Sequence, residues 1–162
     1  MSLKLTHLRH IALKTPDPAA LASFYQDKWG LKITDQSGDT FYLRGAGPEK
    51  FILALEKADR RGIARLAFAL ESREAVDRAA EELAAQGVTI YRQPAELTTP
   101  GGGYGLQMVD PEGRCLELSA GVSPADSGET WNAPVRPNKI SHVVLNTADF
   151  EGIIPFFTDT LG

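Results

Sequence analysis

The residues of this chain that could do chemistry recur at a fixed interval. His10 and His142 stand 132 positions apart (142 − 10 = 132), as do Asp17 and Asp149, and Asp27 and Asp159. They belong to two stretches, HIALKTPDPAALASFYQDKWG at 10–30 and HVVLNTADFEGIIPFFTDTLG at 142–162, which align without a gap. Self-similarity at one offset marks a repeated structural unit. An imidazole held at the same point of two copies is a candidate for chemistry, because histidine exchanges protons near neutral pH and ligates metals. Asp17 and Asp149 need no chemical role: each precedes a helical pattern and suits an N-cap. The lone Cys115 has no basic neighbour in sequence to lower its thiol pKa, so an inert small residue is expected there. The run at 101–105, GGGYG, lacks the Lys-Ser/Thr ending of a phosphate loop and leads into a strand, so a turn is expected. The charges at 57–61 read as a solvated loop, and His7 as a surface residue.

These side chains have to be positioned by secondary structure. Residues 8–14 alternate like a strand, with Leu8, His10, Ala12 and Lys14 on one face and Arg9, Ile11 and Leu13 on the other. Asp17 caps a helix with Pro18 at its first position, Leu21, Phe24 and Tyr25 at helical spacing, and Gly30 closing it. Strand-like runs follow at 31–35, 40–44 and 51–56, separated by Gly- and Pro-containing turns. The order β-α-β-β-β then begins again: a strand at 63–70, a helix over 72–86 capped by Ser72, and strands at 88–91, 104–109 and 114–119. A tight turn, DPEG, occupies 110–113. On strand parity Ile63, Arg65, Ala67 and Ala69 share one face, while Leu66, Phe68 and Leu70 face the helices. Cys115, Glu117 and Ser119 share a face by the same rule.

The reading is α+β, with paired βαβββ modules forming a curved, mostly antiparallel sheet around a cleft. Two modules, 5–57 and 62–121, make up a domain over 5–121. Residues 122–139, rich in Pro, Ser, Gly and Asn, form a connector. Residues 140–162 open a third module that stops short, with Pro155 expected to shorten or kink its helix. Its apolar residues, Ile140, Val143, Val144, Leu145, Ile153, Ile154, Phe156 and Phe157, need burial against the first domain or a second copy of the chain, and a dimer is expected.

Composition narrows the function classes. A net charge of −4 offers no broad attraction for nucleic acid or an acidic membrane. No apolar run approaches the length of a membrane span, and the first ten residues contain no apolar signal core. With a single cysteine, a reducing, cytoplasmic compartment is the expectation.

The segments RHIALKTPD (9–17), KWGL (28–31), ARLAFALES (64–72) and GGGYGLQMVDPEGRCLELSAG (101–121) resemble, in this order, the vicinal-oxygen-chelate superfamily of glyoxalases, bleomycin-resistance proteins and type I extradiol dioxygenases. The similarity covers nearly all of 5–162. Two modules, a connector and the start of a third resemble the N-terminal domain of an extradiol ring-cleavage dioxygenase most closely. That resemblance implies a longer enzyme of aromatic catabolism that cleaves catechol-type diols with Fe(II), or Mn(II), held in its second half. The fragment itself is then expected to be inactive.

By the same resemblance, metal ligands come from His on a module's first strand, His on the next module's first strand and Glu on that module's last. His142 matches the first of these positions for the full-length protein. In the first domain His10 and Glu117 match, and Arg65 stands where the second His would be. A guanidinium has no lone pair to offer a metal. The expectations are therefore that Arg65 pairs with Glu117 in place of a metal, that residues 1–121 hold no metal, and that His10 is a hydrogen-bonded histidine lining the cleft or a vestige of a metal site. The other readings are a metal-free ligand-binding module like the bleomycin-resistance proteins, with Arg65, His10 and Glu117 lining its pocket, and a glyoxalase-like metal lyase or isomerase.

Overall fold

In the computed structural model, which describes residues 3–126, 131–132 and 134–162, eight strands form one curved sheet in the order β2-β3-β4-β1-β5-β8-β7-β6. The first module contributes β1 (His7–Thr15), α1 (Pro18–Trp29), β2 (Lys32–Ser37), β3 (Thr40–Arg44) and β4 (Leu53–Lys57). The second contributes β5 (Gly62–Ala69), α2 (Arg73–Ala85), β6 (Ile90–Glu96), β7 (Tyr104–Val109) and β8 (Cys115–Ala120). Each module's last strand lies parallel to its first, β4 on β1 and β8 on β5, and the remaining neighbours are antiparallel. β1 and β5 join the two modules at the centre of the sheet. The expected repeat is therefore a repeat of topology.

Local chemistry sets the helix ends. The Ala20 amide donates to Asp17 Oδ1 at 2.9 Å, and the Ala75 amide to the Ser72 hydroxyl at 3.2 Å. Gly30 adopts φ 68°, the left-handed conformation that ends α1. α2 buries Ala75, Val76, Ala79 and Leu83 against Leu66, Leu106, Met108, Leu116 and Leu118 of the second module's strands. Each of the larger side chains gains about 1.5–3 kcal/mol on full burial. α1 packs Ala22, Leu21 and Tyr25 over Leu43, Leu53 and Leu55. Phe24, assigned to that stripe from its spacing, is 47% exposed.

Two bulges correct the strand parity. An extra residue at Arg9 puts Leu8 in register with Phe68, on the helix-covered side, while His10 pairs with Ala67 on the concave side. A second register shift at Ala64 turns Ile63 toward the helix-side core and leaves Ala64 beside Ala12 and Phe51. A bulge adds one residue to one strand, so every side chain beyond it changes face relative to simple alternation.

The described part of the connector, mostly exposed, is anchored at a few points. Trp131 is buried, with the Lys32 ammonium 4.9 Å and the Arg44 guanidinium 5.9 Å from its ring centre. The Ala46 amide donates to the Pro137 carbonyl at 2.7 Å. Gly45 and Gly47 permit this approach, since a Cβ on either would lie 2.2 Å and 2.1 Å from the carbonyl oxygens of Pro137 and Asn138. Residues 127–130 and 133 of the expected connector lie outside the described residues.

The third copy departs from its twin. Residues 140–146 form no strand, and among the described residues no strand pairs with them. Asp149 caps α3 (Phe150–Pro155) through the Gly152 amide at 2.9 Å, as Asp17 caps α1. Pro155 has no amide hydrogen to give, and the helix widens there into a π-helical turn, Phe156–Leu161. Phe156 and Leu161 join the core of the second module, so the segment docks on the first domain. Val144, expected to need burial, is 82% exposed, and Ile154 is 40% exposed.

Candidate functional site

The concave face carries the polar residues of interest. The register across β1, β5 and β8 sets His10 opposite Ala67 and Ala67 opposite Glu117, so the three form one row. Arg65 lies opposite Ala12, one step along the same face. The fold thus brings His10, Arg65 and Glu117 together, and both His10 and Glu117 are 1% exposed. His142 is elsewhere. It is an exposed side chain in a groove shared with Leu66 and Phe68, on the helix-covered side of the sheet.

Arg65 pairs with Glu117, its Nε 3.3 Å from Oε2, in an ion pair without hydrogen-bond alignment. Its Nη1 also reaches Glu56 Oε1 on β4 at 3.4 Å, so the guanidinium links the two modules. Gln107, opposite Glu117 on β7, donates from Nε2 to Glu117 Oε2 at 2.8 Å. Glu117 Oε1 and the Ser119 hydroxyl are buried without a hydrogen-bond partner among the described residues.

His10 is not the hydrogen-bonded histidine expected. Both ring nitrogens are buried without a partner among the described residues, and the ring packs on Phe51 with 4.4 Å between centres. Burial first, then the charges of Arg65 and Arg9, hold its pKa well below the ordinary histidine value, so the imidazole is neutral at neutral pH. Arg9 is engaged with Glu49 at 2.9 Å, and the partly exposed His7 donates to or accepts from the same carboxylate at 2.7 Å. Cys115 meets the Tyr91 hydroxyl, and burial pushes its thiol pKa up, against the opposing pull of Tyr91 and Arg65. A raised thiol pKa is that of an unreactive cysteine.

A divalent metal does not fit this face as it stands. Two donors, His10 and Glu117, flank a permanent cation, and among the described residues no three His, Cys, Asp or Glu side chains converge. Sequence reasoning missed Glu56 and Gln107, while strand parity had already put Ser119 on the face of Glu117. Counting back along the hairpin from the turn at 110–113 would have brought Gln107 to Glu117. Glu56 had no such signal, because its strand reaches Arg65 only through the pairing of modules.

Over residues 7–118 the sequence matches the family described as the Glyoxalase/Bleomycin resistance protein/Dioxygenase superfamily, and the chain belongs to it. Among individual proteins, it is 27% identical over 175 aligned positions to a manganese-dependent 2,3-dihydroxybiphenyl 1,2-dioxygenase of Geobacillus genomosp. 3, a match covering all of this chain and 55% of the relative. It is 30% identical over 128 positions to metapyrocatechase 2 of Cupriavidus necator, covering 78% of this chain and 40% of the relative. The Mn(II)-bound glyoxalase from Novosphingobium aromaticivorans superposes with a TM-score of 0.89 at 33% identity, over 98% of this chain and 53% of that one. The 2,3-dioxygenase LapB from Pseudomonas sp. KL28 shares the fold, with a TM-score of 0.83 at 20% identity over 98% of this chain and 59% of that one. The chain spans about half the length of the curated relatives it matches. Among the described residues no helix is long and apolar enough to cross a membrane.

Proposed function

We propose that this chain is the N-terminal half of an extradiol ring-cleaving dioxygenase that acts on catechol-type aromatic diols, and that residues 5–121 are its structural domain. The observation that carries the reading is the Arg65–Glu117 pair. It leaves the first domain without a metal donor set, in a chain that matches about half of each metal-named relative. Residues 122–139 connect the halves and residues 140–162 open the second. His142 is the first ligand of the working metal, Fe(II) or Mn(II), with the remaining ligands supplied by sequence after Gly162. Bound there, the metal serves as template and Lewis acid for diol and dioxygen. This chain's own residues support that half: Glu112 and Arg114 tie down the backbone that follows His142, and the second module's core receives Phe156 and Leu161. The protein works in the cytoplasm as a homodimer.

The test is the gene beyond Gly162, and the longer protein it encodes. Loaded with Fe(II) or Mn(II), that protein is expected to open catechol-type rings, and His142→Ala to abolish both activity and stoichiometric metal. Full activity in His142→Ala overturns the ligand assignment, and an absence of ring cleavage with either metal overturns the reaction. A specific likeness favours a second reading, a glyoxalase-type metal enzyme: the 33% identity to a Mn(II)-bound glyoxalase. The same preparation assayed for glyoxalase activity separates the two, and light scattering checks the dimer.

A further inference from the structure

We infer that α1 carries a second contact surface, at Phe24 and Trp29, and that the last βαβββ module of the longer protein covers it, so that the two halves grip each other reciprocally. The inference rests on the proposed reading that a second pair of modules begins with the third copy.

The repeat supplies the argument, because one helix occurs twice with opposite sides filled. α1 buries Pro18 and Ala22, and Ala22 packs on Leu43, Leu53 and Leu55 of its own module. Their counterparts 132 positions on, Phe150 and Ile154, are exposed, and among the described residues the third copy has no sheet of its own. Phe24 and Trp29 show the reverse. They are 47% and 53% exposed, whereas their counterparts Phe156 and Leu161 are 7% and 1% exposed, in the core of the second module. Each copy thus displays half of a helix with two apolar contacts, one for its own sheet and one for a module of the other pair. Large apolar side chains left bare at such positions mark an interaction site.

The surroundings of α1 suit a docked partner. Two grooves run beside it, of about 590 Å³ and 450 Å³. Leu13, Leu21 and Phe24 wall the first, and Tyr25, Trp29 and Leu31 the second. Phe24 and Trp29 each stand edge-on to Tyr25, with 5.5 Å and 5.8 Å between ring centres. Rings already held in place lose little freedom on docking. No large apolar side chain of α2 is exposed, so α2 offers no such surface.

The identity of the partner follows from closure. The third copy sits on the second module, with Phe156 lining one crevice together with Val88, Val109 and Pro111. A two-fold relation is the commonest way in which equal units close on each other. Between the two halves, it turns the contact of third copy with second module into a contact of first copy with fourth module. A head-to-tail relation would leave α1 bare.

Hydroxyl-radical footprinting read by mass spectrometry reports each ring separately. In residues 1–162, Phe24 and Trp29 are expected to oxidise readily and Phe156 slowly. In the longer protein, Phe24 and Trp29 are expected to oxidise severalfold more slowly than in residues 1–162, at every protein concentration. Equal oxidation in the two proteins overturns the inference and leaves the proposed ring cleavage standing. Protection that disappears on dilution assigns the surface to a second copy of the chain and also overturns it. A gene that encodes no second pair of modules overturns the proposed function and this inference together. Phe24→Ser is a second measure. It is expected to leave the Tm of residues 1–162 nearly unchanged and to lower that of the longer protein by a shift comparable to that of Phe156→Ser. A longer protein whose melting ignores Phe24→Ser overturns the inference.

Discussion

The two modules trace one backbone path and carry different chemistry on it. In the first, Ala12 pairs in parallel with Ala54; in the second, at the same point, Ala67 pairs with Glu117. His10 occupies on β1 the place that Arg65 occupies on β5, each facing the other strand's alanine. The first module sets Phe51, Tyr42 and small alanines beside His10 and Glu56 on its concave side, while the second fills the same side with Arg65, Glu117, Gln107, Ser119 and Cys115. The comparison teaches that the fold is indifferent to what stands on this face. Caps, turns and helix-side leucines build each module, and the concave positions remain free to be apolar or ionic.

The largest expected effect breaks the ionic half of that contrast. Arg65→Ala strands Glu117, which is 1% exposed, and leaves Glu56 without its partner as well. Removing one member of a buried pair costs about 3–5 kcal/mol, and urea unfolding is expected to show a loss of this size for Arg65→Ala and for Glu117→Ala. Replacing both, as Arg65→Met with Glu117→Leu, removes the two buried charges together. That double variant is expected to recover most of the loss. Equal losses in single and double variants would mean that the ions themselves, and not their mutual compensation, hold the sheet.

The next effect reads the other side of the centre. His10 is held neutral by burial, Arg65 and Arg9, so its folded pKa lies below the 6.5 of a free histidine. The unfolded chain then binds the proton more readily. The contribution is fully present above about pH 6.5 and is lost as pH falls toward the folded value, by at most ~1.4 kcal/mol per pH unit. Urea midpoints at pH 8 and pH 5.5 are expected to separate more for the unaltered chain than for His10→Gln. In an Arg65→Met background the separation is expected to shrink, because one of the two neighbouring positive charges is gone. An identical pH dependence in His10→Gln would assign the acid sensitivity to other groups.

Much of this was legible in sequence, and the parts that were not have a common cause. The offset between copies, the caps at Asp17, Ser72 and Asp149, and the turn at 110–113 are local signals, and the elements of the two modules stand within two residues of where they were expected, except the strand expected at 88–91, which runs from Ile90 to Glu96. Arg65 and Glu117 were brought together by resemblance and strand parity, and they do meet. Alternation failed at Leu8 and Ile63, because bulges answer to the twist at the β1–β5 junction and leave no composition signal. Glu56 was invisible because its contact with Arg65 crosses from one module to the other. Residues 140–146 read as a strand and have the residues of one, but a strand needs a partner edge, which sequence alternation does not supply.

A smaller expected effect compares the two helices that cover the sheet. Asp17→Ala and Ser72→Ala each remove the side-chain acceptor for one first-turn amide, and each is expected to cost about 1 kcal/mol in urea unfolding. A much larger loss at Ser72 would show that the second module, with its ionic concave face, depends more on its helix-side core than the first does.

The smallest global effect concerns the third copy, which is joined differently from the other two. The first two modules share a strand ladder, whereas the third is held by an apolar patch and a polar latch. In the latch, Glu112 Oε1 accepts from the Thr147 hydroxyl and the Ala148 amide, both at 2.8 Å, and Arg114 donates to the Asn146 carbonyl at 2.9 Å. The Thr147 hydrogen bond, followed by that of Ala148, holds the Glu112 carboxyl below the usual carboxylate range. The latch is therefore intact above that range and opens as pH falls through the lowered value. Glu112→Ala is expected to leave the global unfolding midpoint nearly unchanged and to speed amide exchange across 147–161, since local opening is set by few contacts. Unchanged exchange in that segment would mean that Phe156 and Leu161 alone hold the third copy, making its attachment a packing contact of the same kind as α2.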